Sequence, residues 1–185
     1  MLSRLMVLAS ATLVACTPLA DRVALSPVPS TLELRPLVGS AMVRTVSLPS
    51  YAAAEEIALE TTDGLIAINE DVLWADDPER AVTLILTRTV GDILNTDVGP
   101  DPWPFVGLPD VSVDVRVARM LAGSDGMFEL NGQFYIASEG ARFRDSTQSF
   151  SITEPMADTS VGSISAAQSA ALLRLAEQIA ATLGR

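Results

Sequence analysis

Hydrophobic and polar positions alternate most cleanly where Val111, Val113, Val115 and Val117 interleave with Ser112, Asp114, Arg116 and Ala118. A period of two sets the valines on one face of a strand and the polar residues on the other. Gly123 to Gly126 turn this strand into a second extended run, Met127 to Ala137, with Phe128, Leu130, Phe134 and Ile136 facing inward and Gly132 marking a bulge. Residues 147–153, with Phe150 and Ile152, add a third. Upstream, Arg22 to Ser26, Met42 to Leu48, Glu56 to Thr61 and Leu65 to Asn69 read as short strands, the last two joined by a tight turn at Asp63-Gly64. Pro27, Pro29, Pro36 and Gly39 make the connection after the first of these turn-rich, and Gly99, Pro100, Pro102, Pro104 and Pro109 break the chain ahead of Val111.

Two segments change period. Val82, Leu86, Val90 and Ile93 share one face of a helix over 78–95, with Asp77 as its cap, Pro78 at its first position, and Asp76, Asp77 and Glu79 favourable to its dipole. Leu172, Leu175, Ile179 and Leu183 make a second stripe, with Ser165 and Gln168 as a capping box and Gly184 as the stop. Each apolar stripe needs a sheet to cover. The fold class expected is therefore α+β, a two-layer sandwich of mostly antiparallel sheet with two helices packed on one face. The other sheet face, with Asp114 and Arg116, is left to water or a partner. Arg119 differs in parity from Arg116 and is expected off that face.

Composition narrows the chemistry. Of 185 residues, 49% are hydrophobic and 19% charged, enough for one domain with its own core. A net charge of −11 argues against nucleic acid, whose phosphates would be repelled. There is no His, all twelve cations are Arg, and only one Cys is present. This removes Ser-His-Asp and Cys-His catalysis, Schiff bases, P-loops, internal disulfides and the usual zinc ligand sets. Carboxylates, hydroxyls and Arg remain. Asp92, Asn95, Asp97 and Asp101 lack EF-hand spacing, so no metal or cofactor is expected.

The amino terminus has one positive charge, Arg4, followed by an apolar stretch from Leu5 to Ala15 broken only by Ser10 and Thr12. This reads as an export signal over residues 1–15. As a helix it spans about 16 Å, half of a hydrocarbon core of about 30 Å, which is too short for a permanent transmembrane anchor. Its end, Leu13-Val14-Ala15-Cys16, resembles the bacterial lipobox, which would consume the only thiol. The resemblance implies a thioether-linked diacylglycerol and an amide-linked chain such as palmitate on Cys16, together a firm membrane hold. Thr17 in place of Asp resembles the signal for delivery to the outer membrane. Residues 16–21 then form the lipidated Cys and tether, and 22–185 the folded domain.

Along that domain, Arg22 to Pro27, Val46-Ser-Leu-Pro-Ser-Tyr51, Ile57, Leu73-Trp-Ala-Asp-Asp-Pro78, Pro102-Trp103 and the Val111 strand occur in an order that resembles the PqiC-like auxiliary lipoproteins of ABC-type transport systems. Family members typically read Leu-Pro-x-Tyr-Leu with an Arg two residues on. This chain carries Ala52 and Ala54 there, Val23 and Ala24 in place of aromatics, and Leu73 before the Trp, so contacts of those lost side chains do not carry over. The resemblance implies a non-catalytic, outer-membrane lipoprotein facing the periplasm. Its implied partners are an envelope-spanning MCE-domain protein and an inner-membrane transporter component, in a system that moves lipid and supports envelope integrity. A homo-oligomer is compatible with that role.

Tyr51 and Trp74, near element ends, suit packing at the core edge or contact with a partner. Trp103, among Pro102, Pro104 and Phe105 in a loop, is the stronger contact candidate. Two other functions remain open on the residues alone. A carboxylate-dependent periplasmic hydrolase would need two carboxyls facing across a cleft. A stand-alone lipid-binding lipoprotein would need an enclosed apolar pocket of about 300–1,000 Å³.

Overall fold

The computed structural model describes residues 20–139 and 143–185. The export signal, Cys16 and most of the tether lie outside the described residues. In chain order the elements are β1 (Asp21–Val23), β2 (Ser40–Val43), α1 (Ser50–Ala53), β3 (Glu56–Glu60), β4 (Ile66–Trp74), α2 (Pro78–Leu94), β5 (Asp97–Pro100), β6 (Val111–Ala122), β7 (Met127–Ser138), β8 (Ser146–Pro155) and α3 (Val161–Leu183).

The strands form a single sheet organised around β6. One edge of β6 carries the antiparallel meander β6-β7-β8. The other edge takes β2 along Val111–Val113 and β3 at Ala122, both parallel, and these lead outward to β5 and to β4-β1. The long ladders are antiparallel and the parallel pairings are short, so the expected α+β sandwich is the observed fold. The core lies between this sheet and α2 and α3, with Val113, Val115, Phe134, Leu86, Leu172, Leu175 and Ile179 all buried.

Local chemistry sets the helix ends. The Asp77 carboxylate accepts from Arg80 N at 2.8 Å, Pro78 occupies the first turn, and Asn95 ends α2 in the left-handed region at φ 47°. Helix α3 departs from expectation: it starts at Val161, with the Ser160 hydroxyl accepting from Ser163 N. Ser165 and Gln168 are buried inside it rather than capping it. Both serines can cap, and Ser160 is the one used because Asp158 accepts its hydroxyl and its N–H in a turn that halts the chain there.

Strand limits also moved. The first strand is shorter than expected, and the extended run from Met42 divides after Val43. Val46 N there leaves the sheet to donate to Thr83 Oγ1 of α2 at 2.9 Å, and Ser47 then rejoins β6. Strand β4 runs on to Trp74 because the Asn69 side chain accepts from Asp71 N and Val72 N, folding a bulge within the strand instead of ending it. Gly99 and Pro100, read as breakers, instead close an edge strand, Asp97–Pro100, beside β2, where a terminal proline is tolerated. The four-residue α1 was not anticipated either.

The bulge associated with Gly132 sits on the neighbouring strand. The register shifts between Val117 and Arg119, opposite Gly132 and Asn131. A Cβ on Gly132 would lie 2.3 Å from Arg116 O and 2.8 Å from Phe150 Cζ, so the aromatic ring covers a position that only glycine fits. The extra residue reverses parity, and Arg119 joins Asp114 and Arg116 on the polar face instead of leaving it.

Candidate functional site

The polar sheet face is closed upon itself. Arg116 pairs with Asp114 at 2.9 Å and lies 5.2 Å from the Tyr135 ring centroid, and the Tyr135 hydroxyl donates to Gln133. Ser112 Oγ donates to Glu139 at 2.8 Å, and Arg44 reaches the same carboxylate. Arg119 bridges Glu129 and Glu60, and hydrogen bonding to Glu129, against some desolvation and with help from Glu60, holds its guanidinium above the ordinary range. The two carboxylates brought together here share one cation between them, an ion-pair arrangement and not an acid and base across a cleft. Among the described residues no cluster of three or more His, Cys, Asp or Glu is placed to hold a metal.

Apolar surface is concentrated elsewhere. The loop from Asp101 to Asp110 is fixed at both ends. Asp101 N donates to Val43 O at 2.9 Å, while Asp110 accepts from Gly39 N at 2.7 Å and donates its own N–H to Ser40 Oγ. Pro104 and Trp103 lie against Gly99 so closely that a Cβ there would fall 2.7 Å from Pro104 Cδ. Trp103 is half-buried and meets Phe105 edge to face, with centroids 4.9 Å apart. Its Nε1 is buried with no partner among the described residues. Beyond this braced ring Phe105 is exposed, Val106 fully so, and Leu108 is 77% exposed across a turn at Gly107, whose φ is +89°. A rigid mount with exposed apolar side chains has the anatomy of an interface anchor.

Trp74 and Tyr51 are placed differently. Trp74 ends β4, is buried, and is held by Arg22 Nη1 donating to its carbonyl at 2.9 Å and its own N–H donating to Glu55 O. It floors a surface groove of about 280 Å³, whose walls include Val23, Leu25, Leu84 and Ile85. Tyr51, half-buried on α1, accepts from Met120 N at 3.4 Å through its hydroxyl. Tyr51 and Trp74 also meet at a cleft of about 20 Å³ beside Gln168, room for a water and not for an acyl chain. Neither is brought near Trp103, which lies in the loop leading to the start of β6.

Sequence reasoning missed two contributors. Glu79, read as a dipole partner, also accepts from Leu48 N at 3.1 Å and so ties the segment after β2 to α2. Leu65, Ile66 and Ile68, read simply as a strand, are exposed at 68%, 41% and 47%. No helix among the described residues is long and apolar enough to cross a membrane.

The family model for the ABC-type transport auxiliary lipoprotein component matches residues 24–180. No curated protein matches the sequence. Among solved structures, a protein described as uncharacterized aligns with a TM-score of 0.72 and 17% identity over 88% of this chain and 97% of its own. A Xanthomonas campestris protein of the DUF330 family aligns with a TM-score of 0.71 and 15% identity over 88% of this chain and 95% of its own. Both likenesses concern the fold.

Proposed function

Because the chain belongs to the ABC-type transport auxiliary lipoprotein component family, we propose that it is the non-catalytic lipoprotein subunit of an MCE/ABC-type intermembrane lipid transport system, docking the envelope-spanning conduit at the outer membrane and supporting envelope integrity. Cys16 carries the acyl chains, and the domain faces the periplasm. The inner-membrane transporter component lies across the envelope and is reached through the MCE-domain protein.

The observation that carries the docking role is the braced loop at Trp103. Phe105 is held against Trp103, and Val106 and Leu108 are exposed on the same loop, whose two ends are fixed, so less backbone entropy is lost on binding them. The ion-paired sheet face and the filled core agree with a subunit that holds rather than reacts. A stand-alone lipid carrier is less well supported, since the apolar groove at Trp74 has about 280 Å³ and lies at the surface.

The test is a photoreactive residue at Val106 in intact cells, followed by mass spectrometry of the adducts. An MCE-domain protein is the expected catch. Membrane-associated protein that yields no such adduct overturns the assignment of this loop as the dock.

A further inference from the structure

The loop at Trp103 is one cluster of exposed apolar side chains among the described residues; the β3-β4 hairpin is another, and it lies at the opposite end of β6. Strand β3 runs parallel to β6 with Leu59 opposite Ala122, so the turn after Glu60 projects beyond the end of β6, whereas the loop at Trp103 leads into its start. At that projecting end Leu65 is 68%, Ile66 41% and Ile68 47% exposed. We propose that this hairpin tip is seated in the same lipid surface that holds the acylated Cys16, so that the domain meets the membrane at two points. The inference rests on the lipidation of Cys16 under the reading above.

The tether supplies the argument. Strand β1 runs parallel to β4, Asp21 opposite Val72 and Val23 opposite Trp74, so the chain enters β1 from the hairpin side. Leu73 is level with Glu56 and Ile66 with Glu60, so the height from the entry point to the tip is that of four residues of β3, about 13 Å at about 3.3 Å each. The five residues from Cys16 to Asp21 reach at most about 18 Å. The leash is longer than that height, so the tip can reach the plane in which the acyl chains are buried and stays within about 31 Å of it. Once Cys16 is anchored, contact by the tip is an intramolecular event at high effective concentration.

Charge selects the kind of surface. From Gly64 to Asn69 there is no ionisable side chain, the flanks are Asp63 and Glu70, and no Arg lies between Glu55 and Trp74. The contact is therefore apolar insertion beneath zwitterionic headgroups, not attraction to anionic lipid, and it should persist at high salt.

Native protein has no thiol to label once Cys16 is acylated, so a single added Cys reports cleanly. The lipidated full chain carrying Leu65→Cys is labelled with an environment-sensitive nitrobenzoxadiazole dye and reconstituted into phosphatidylethanolamine–phosphatidylcholine vesicles, with Val106→Cys as its counterpart. Both positions are exposed, so neither change disturbs the core. The expected result is blue-shifted emission at 65, quenched by lipid-borne nitroxide and protected from aqueous iodide, with the reverse at 106. Vesicle-bound protein whose dye at 65 is freely quenched by iodide overturns the inference and leaves the anchor intact. A dye at 65 shielded from both quenchers overturns it in favour of a protein partner or second copy. Protein that fails to associate with vesicles at all refutes the anchor, and the inference with it.

Discussion

On its inward side β6 presents Val111, Val113, Val115 and Val117 to the core beneath α2 and α3, while on its outward side it presents Ser112, Asp114, Arg116 and, after the bulge, Arg119. The inward valines are buried. The outward charges are each matched by a neighbour, Asp114 for Arg116 and Glu60 with Glu129 for Arg119, at a partly hydrated surface where such pairs contribute little. The same strand thus separates cohesion from solubility. Among the described residues neither side brings a reactive pair together, and the exposed apolar clusters at Trp103 and at the β3-β4 hairpin lie beyond the two ends of the strand.

The sharpest way to break this contrast is to remove cohesion. Leu172→Ala, at a fully buried position of α3, should lower stability by about 2–5 kcal/mol. Urea unfolding of the Cys16→Ser protein measures it, and a small shift would mean that the core tolerates voids. Gly132→Ala places a Cβ against Arg116 O and Phe150 and must force the bulge apart, for an expected loss of about 1–3 kcal/mol in the same assay. Arg116→Ala, on the outward side, should leave the midpoint unchanged within measurement, because its partner Asp114 stays in contact with water. An effect there as large as that of Gly132→Ala would erase the distinction between the two sides.

Much of this was legible in the sequence where local chemistry and periodicity agreed. Asp77-Pro78 and the stripe through Val82, Leu86, Val90 and Ile93 specify α2 almost to the residue, and the valine alternation specifies β6. What escaped was set mostly by distant partners. The parity of Arg119 depends on a bulge that Phe150 and Gly132 impose from neighbouring strands. The start of α3 is set instead by a turn at Asp158 that fixes Ser160, which lacks the capping-box partner that Ser165 has in Gln168. Asp97–Pro100 becomes a strand only because β2 offers it an edge. Of the candidate contact residues, Trp74 is buried at the end of β4 and Trp103 is half-buried in a proline-rich loop. The exposure of Leu65, Ile66 and Ile68 had no local signature, because a buried strand and a bare hairpin tip alternate alike.

The length of β6 has one more consequence. Its 12 residues, at about 3.3 Å each and less what the bulge after Val117 takes up, separate the hairpin end from the Trp103 end by at most about 40 Å. Under the proposed contact of the hairpin with lipid, that length caps a standoff: whatever grips the far loop lies no farther than roughly a bilayer's thickness from the headgroups. Were the proposed conduit coupled there, the gap its cargo had still to cross could be no wider than the length of a single strand.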